Sequence, residues 1–95
     1  MAIRVLIERE IEPGQEVKLL YSLTQMRSKA VQAKGYISGE TLRSLDDANR
    51  FLVISTWSST EDWKAWEKSP DRKKLHEEMR SILRSPERAV VFTNI

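Results

Sequence analysis

The chain of 95 residues contains no cysteine. Disulfide bonds, thiolate metal sites and cysteine nucleophiles are therefore excluded together. A single histidine excludes metal sites built from several imidazoles, so no metal site is predicted. The three glycines form neither a phosphate-binding loop nor a dinucleotide fingerprint. No apolar run approaches the roughly 18 residues of a membrane span, so we expect no membrane segment and a cytoplasmic protein.

Charge is also nearly absent in net terms, at +2, although 32% of the residues are charged. The basic residues are scattered along the chain, a distribution that is not typical of a nucleic-acid-binding protein. The length predicts one domain over residues 1–95. A lone domain of this size buries only about 60 to 65% of its unfolded surface, so dimerisation would help to stabilise it.

The first half of the chain alternates strand-like and helix-like patterns. Residues 3–11 place Ile3, Val5, Ile7 and Ile11 on one parity, which predicts a strand with one buried face that ends at 12–14. A helix follows, with Gly35 suited to its carboxyl-terminal cap. Its apolar stripe is predicted from the three and four residue spacing of Val17, Leu20, Leu23, Met26 or Arg27, Ala30 and Val31.

The next segment predicts a hairpin, with arms at 36–45 and 50–57 around a polar turn at 46–49. The run of residues 51–54 is apolar on both parities, which indicates a central strand. Ser58 and Glu61 then have the spacing of a capping box, and a helix carrying Trp63 and Trp66 follows.

A second helical segment restarts at Ser69 and Pro70, a good cap followed by a tolerated first-turn proline. Its apolar stripe consists of Leu75, Met79, Ile82 and Leu83. Residues 85–87 end the helix, and residues 88–93 form the last strand. The order is therefore βαββαβ, an α+β ferredoxin-like fold whose antiparallel sheet carries its helices on one face. Leu6, Leu52 and Ile54 would lie on the other face, and an exposed apolar face of this kind indicates a homodimer.

The span 35–76 also carries a family resemblance. It runs from Gly35-Tyr36-Ile37-Ser38-Gly39-Glu40 through the strand at 50–57 to Trp63, Trp66, Ser69-Pro70 and His76. In this order it resembles the antibiotic biosynthesis monooxygenase family of small ferredoxin-like dimers. That family includes cofactor-free oxygenases of aromatic polyketides, quinol oxidases and haem-degrading enzymes. The resemblance implies a dimeric α/β barrel.

Trp66 and His76 are the catalytic candidates that the resemblance implies. In haem-degrading relatives the matching tryptophan packs over the cofactor and the histidine is the axial iron ligand. The asparagine that steers bound oxygen in those relatives is replaced here by Ile7, whose hydrocarbon side chain cannot donate a hydrogen bond. Structural roles compete: Trp63 and Trp66 also suit a packed core, and the charged neighbours of His76 also suit a solvated face.

Three hypotheses for function follow. The first is a homodimeric, cofactor-independent monooxygenase acting on a small aromatic or quinol-like substrate. In it Ile7, Leu23 and Val53 line the pocket, Trp66 walls it and His76 is a possible base. The second is a haem-binding or haem-degrading protein with His76 as ligand, which Ile7 argues against. The third is a dimer that binds a small ligand without catalysis, because fold alone does not confer function.

Overall fold

The computed structural model describes all 95 residues, numbered 1–95. The elements follow the predicted order, with the second helical region broken into two helices and a short 3-10 turn at Arg80–Ile82. They are β1 (Ile3–Glu10), α1 (Glu16–Ala30), β2 (Tyr36–Arg43), β3 (Arg50–Trp57), α2 (Thr60–Glu67), α3 (Pro70–Met79) and β4 (Arg88–Thr93). No helix is both long and apolar enough to cross a bilayer.

The four strands form one antiparallel sheet in the order β2-β3-β1-β4. The central position predicted for β3 is confirmed, and β1 is the other central strand. Directly opposed residues share a face of the sheet, so the pairing of Ile7 with Val53 places both on the inner, helix-covered face. This register brings the first strand and the hairpin together at the site described below.

The core lies between the inner face of the sheet and the helices. Along β1 the inner residues Ile3, Val5 and Ile7 are buried, as their parity predicted, and Leu19, Met26 and Ala30 of α1 pack over the sheet. The predicted stripe of α1 was wrong at Val31, which is exposed beyond the end of the helix, and at its amino-terminal end, where Val17 and Leu20 are exposed and Leu19 is buried instead. Several apolar residues lie side by side there, so spacing alone did not fix which of them faces the sheet.

Three predicted boundaries also differ from the structure. Gly35 is not the cap of α1, which ends at Ala30, although its φ of +86° is in the left-handed region. Gly35 instead allows close packing, since a Cβ there would lie 2.3 Å from Asp62 Oδ2. The cap of α2 is Ser59, whose hydroxyl accepts a hydrogen bond from the Asp62 backbone N–H at 3.1 Å. The predicted capping box therefore began one residue too early, and β2 ends at Arg43 rather than at residue 45.

The outer face of the sheet has no covering element within the chain. The register places Leu6 beside Ile54 and Val90, and Leu52 beside Leu42, on this face. Leu6, Leu52, Ile54 and Val90 are half-buried by their neighbours, while Leu42 is exposed. We call these five residues the outer apolar face. A single chain leaves this face open to solvent.

Candidate functional site

A cavity of about 60 Å³ lies between the inner face of the sheet, α1 and α2. Nine of its fifteen lining residues are hydrophobic, so its surface is mainly apolar. The four residues that the sequence assigned to a pocket, Ile7, Leu23, Val53 and Trp66, all line it. Ile7 and Val53 meet there as cross-strand partners, Leu23 comes from α1, and the Ser59 cap starts the helix that carries Trp66.

Aromatic rings form one wall of the cavity. The Trp57 and Trp66 rings stack at 6.2 Å with an interplanar angle of 25°, and Trp63 lies 5.8 Å from Trp57. Tyr36 meets Trp57 edge-on at 5.3 Å. The Trp57 indole N–H donates to Ser55 Oγ at 3.1 Å, which satisfies the one polar atom of a side chain that is 1% exposed. All four rings line the cavity, so Trp66 is one member of an aromatic cluster.

A buried ionic cluster lies beside the aromatic wall. Arg9 and Arg72 are 2% and 6% exposed, and both contact the carboxylate of Glu87. Arg9 Nη2 lies 2.8 Å from Glu87 Oε1, and Arg72 Nη2 donates to Glu87 Oε2 at 2.8 Å. Burial raises the pKa of Glu87, but the charges of Arg9 and Arg72 outweigh it and hold the pKa below its usual value. One ionised carboxylate thus joins two buried guanidinium groups.

Both clustered arginines also line the cavity, and so does Arg27 of α1. Arg72 lies over the ring of Trp63, with its guanidinium carbon 5.5 Å from the ring centroid, and its Nε is buried without a hydrogen-bond partner. Arg27 forms no ion pair within the chain. No acidic residue lines the cavity. The cavity therefore combines an aromatic wall with positive charge.

His76 does not line this cavity. It borders a separate cleft of about 380 Å³ between α3 and the start of β4, where Leu83 is the one hydrophobic lining residue. Its Nδ1 is buried without a hydrogen-bond partner and lies 3.4 Å from Glu87 Oε1. The structure therefore places His76 beside Glu87, on the side of the ionic cluster away from the cavity, and not beside Trp66.

A haem fits this arrangement poorly. An axial imidazole needs an apolar slot beside it, whereas the residues that line the cleft at His76 are mainly polar or charged and the aromatic wall lies in the other cavity. No group of three or more histidine, aspartate or glutamate side chains is placed to hold a metal ion.

Sequence reasoning missed the charged half of the site. Arg9 could have been found, because it shares the buried parity of Ile3, Val5 and Ile7, and a charge at such a position needs a partner. Arg72 carried no such signal, since it looks like one of several basic residues in α3. Trp57 was not among the predicted site residues, and Trp63 also suited a packed core, yet both line the cavity.

Comparisons with known proteins agree with this description. The family model described as antibiotic biosynthesis monooxygenase matches residues 2–78. Protein SchA of Streptomyces halstedii is 26% identical over 69 residues, which are 73% of this chain and 18% of SchA. The chain spans less than a fifth of the length of the curated relatives that it matches.

Solved structures share the fold over nearly the whole chain. A conserved protein from Methanosarcina mazei superposes with a TM-score of 0.93 at 13% identity, covering 100% of this chain and 94% of that one. SnoaB, a cofactor-independent oxygenase from Streptomyces nogalater, superposes with a TM-score of 0.89 at 13% identity, covering 99% and 93%. At such low identity these similarities establish the fold alone.

Proposed function

We propose that this protein oxidises a small aromatic or quinol-like substrate with molecular oxygen and without a cofactor. The premise is that the chain belongs to the antibiotic biosynthesis monooxygenase family. The observation that carries this proposal is the convergence of Ile7, Leu23, Val53 and Trp66 on one mainly apolar cavity with an aromatic wall. The fold shared with SnoaB, a cofactor-independent oxygenase, supports it.

The proposed reaction needs no redox group from the protein. The substrate loses a proton, and the resulting anion passes one electron to oxygen, giving a substrate radical and superoxide. These combine into a peroxide, which takes up a proton and eliminates water. At an activated ring CH₂ the net change is CH₂ + O₂ → C=O + H₂O. The protein supplies a water-poor cavity and holds the ring against Trp66.

The cavity must widen to take a substrate. Its volume of about 60 Å³ is below the roughly 150 Å³ of a cavity that holds one benzene molecule. The exposed Arg27 and the half-buried Leu23 lie on its α1 side, where side chains can swing outward. Gly39 lets Tyr36 pack closely against the sheet, since a Cβ at Gly39 would lie 2.6 Å from Tyr36 Oη. We propose that Arg27 and Leu23 move as the ring enters.

His76 lies outside the cavity, so we propose that it acts on Glu87 and not on the substrate. Its Nδ1 is 3.4 Å from Glu87 Oε1, close enough to support the carboxylate that holds Arg9 and Arg72. In this role it is a positioning residue. The haem alternative gains no support from this arrangement.

We further propose that residues 1–95 act as one domain and that the working unit is a homodimer. Two copies that packed their outer apolar faces together would form the dimeric α/β barrel that the family resemblance implies. Burying Leu6, Leu52, Ile54 and their neighbours would contribute about 25 cal/mol for each Å² of apolar surface removed from water.

Oxygen consumption with a panel of quinols and anthrone-like compounds tests the proposal. Isotope-labelled oxygen gas should place one labelled atom in the product and the other in water. Trp66→Ala should lose most of the uptake, and Tyr21→Ala, a change of an exposed aromatic residue on α1 outside the cavity, should not. If folded wild-type protein consumes no oxygen with any compound, the non-catalytic ligand-binding hypothesis replaces this one.

A further inference from the structure

We infer that the cavity takes its aromatic substrate as an anion, with a phenolate or carboxylate oxygen held by Arg9, Arg27 and Arg72. This inference names the substrate class for the proposed function and rests on that function for the reaction. The preference in binding can be tested apart from turnover.

The lining of the cavity carries more positive than negative charge. Three guanidinium groups line the cavity, no acidic residue lines it, and Glu87 behind the lining is the one carboxylate in contact with them. Both clustered arginines contact this same carboxylate, so one of their two charges is left without a counter-ion. With Arg27, which has no ion pair, the excess is two positive charges. A bound anion would bring the charge of the cavity lining closer to neutrality.

The arginines of the cavity also have hydrogen-bond donors that no protein group uses. A guanidinium has five N–H donors in a planar fork that suits bidentate contact with an oxyanion. One nitrogen of Arg72 donates a hydrogen bond to Glu87. The residue is 94% buried, and its Nε has no hydrogen-bond partner. A buried donor left unpaired is costly, so this residue of the cavity lining retains hydrogen-bonding capacity that a small side-chain shift would present to a ligand acceptor.

The neighbouring surfaces fit the rest of such a ligand. The aromatic wall of Trp57, Trp63 and Trp66 suits a flat ring, and the mainly apolar lining raises the strength of a charge contact in the site. Tyr36 is the remaining titratable group in the lining. A hydroxyaromatic held in its ionised form is also the form that gives an electron to oxygen. The arginines would thus favour the reactive species by holding its negative oxygen, while the hydroxyl proton passes to solvent.

Isothermal titration calorimetry with 2-naphthoate and 2-naphthamide tests the preference, because the two probes share a shape and differ in charge. The carboxylate should bind about tenfold or more tightly than the amide, since charge-assisted hydrogen bonds are roughly twice as strong as neutral ones. Arg27→Gln should reduce that ratio severalfold, and because Arg27 is exposed the variant should fold. Arg80→Gln is the matched control, an exposed arginine outside the cavity.

Spectrophotometric titration of 4-nitrophenol checks the phenolate arm. Nearby guanidinium charge should lower the pKa of the bound phenol by about one unit or more. Arg72→Gln should reduce this shift, and if that variant does not fold, Arg27→Gln should reduce it. Equal binding of the two naphthalene probes together with an unshifted phenol pKa would overturn the inference, as would binding of neither probe.

Binding and turnover are measured separately, so the inference and the proposed function can fail independently. Preference for the anion without oxygen uptake would support the inference and contradict the proposed monooxygenase. Oxygen uptake with anthrone-like compounds, together with equal binding of 2-naphthoate and 2-naphthamide, would support the monooxygenase and overturn the inference.

Discussion

Glu87→Gln should destabilise the fold strongly, because it removes one negative charge from between two buried positive ones. The Glu87 side chain is 11% exposed, and those of Arg9 and Arg72 are 1% and 7% exposed. Breaking a buried ion pair by removing one partner costs about 3 to 5 kcal/mol. Domains of this size have an unfolding free energy of about 5 to 14 kcal/mol, so the variant should lose a large fraction of it.

Urea unfolding followed by far-ultraviolet circular dichroism measures this loss. With a slope of roughly 1 to 2 kcal/mol per molar urea, the midpoint should fall by about 2 M. Glu77→Gln is the control, because the Glu77 side chain is 69% exposed and pairs with an Arg80 side chain that is 65% exposed. Exposed pairs contribute roughly 0 to 1 kcal/mol, so that midpoint should barely move. Similar midpoints for the two variants would refute the buried ionic cluster.

The pH dependence gives a second check on the same residue. The folded pKa of Glu87 lies below the 4.5 of a free glutamate, so folding favours the ionised form. Its stabilisation is therefore complete above about pH 4.5 and is lost as the pH falls through the folded value. The difference in unfolding free energy between wild type and Glu87→Gln should narrow in this acid range. A difference that stayed constant from neutral pH to pH 3 would mean that Glu87 acts through packing and not through charge.

Three further predictions concern the cavity, the dimer and haem. Trp66→Ala should reduce oxygen uptake more than Trp63→Ala, although both delete a buried ring at about 3 to 5 kcal/mol; equal effects in folded variants would assign both to packing. Ile54→Asp should convert a dimer into an 11.1 kDa monomer in light scattering, since it places a charge in the proposed interface, and a wild type that is already monomeric would contradict the dimer. Haemin titration of the wild type should give no saturable Soret shift, because the residues that line the cleft at His76 are mainly polar or charged. A saturable shift that His76→Ala abolishes would restore the haem hypothesis.

The order of the elements was predictable because each one carries its own local signal. Alternating apolar residues mark β1, a run that is apolar on both parities marks β3, and Ser69-Pro70 marks the start of α3 as predicted. The phase of α1 was not predictable, because Leu19 and Leu20 are equally apolar and the sheet decides which one is buried. The apolar side of the site followed from the fold, since Ile7 and Val53 lie on the inner faces of adjacent strands.

The charged side of the site depends on contacts that no local pattern encodes. Arg9 and Glu87 are 78 positions apart, and they meet because β4 pairs with β1. Arg72 resembles its exposed neighbours Lys73 and Lys74 in sequence, and only the packing of α3 beside Trp63 buries it. The position of His76 likewise depends on how α3 packs against Glu87, which the sequence does not indicate.

The aromatic wall has a consequence for observing this molecule in solution. All three tryptophans of the chain, Trp57, Trp63 and Trp66, line the one cavity. Indole emission depends on the polarity of its surroundings, so the tryptophan fluorescence of the protein originates entirely at the site. The stacked pair of Trp57 and Trp66, 6.2 Å apart, is also close enough for its electronic transitions to couple. The protein thus carries a built-in optical reporter, whose signal changes when a ligand enters or when water does.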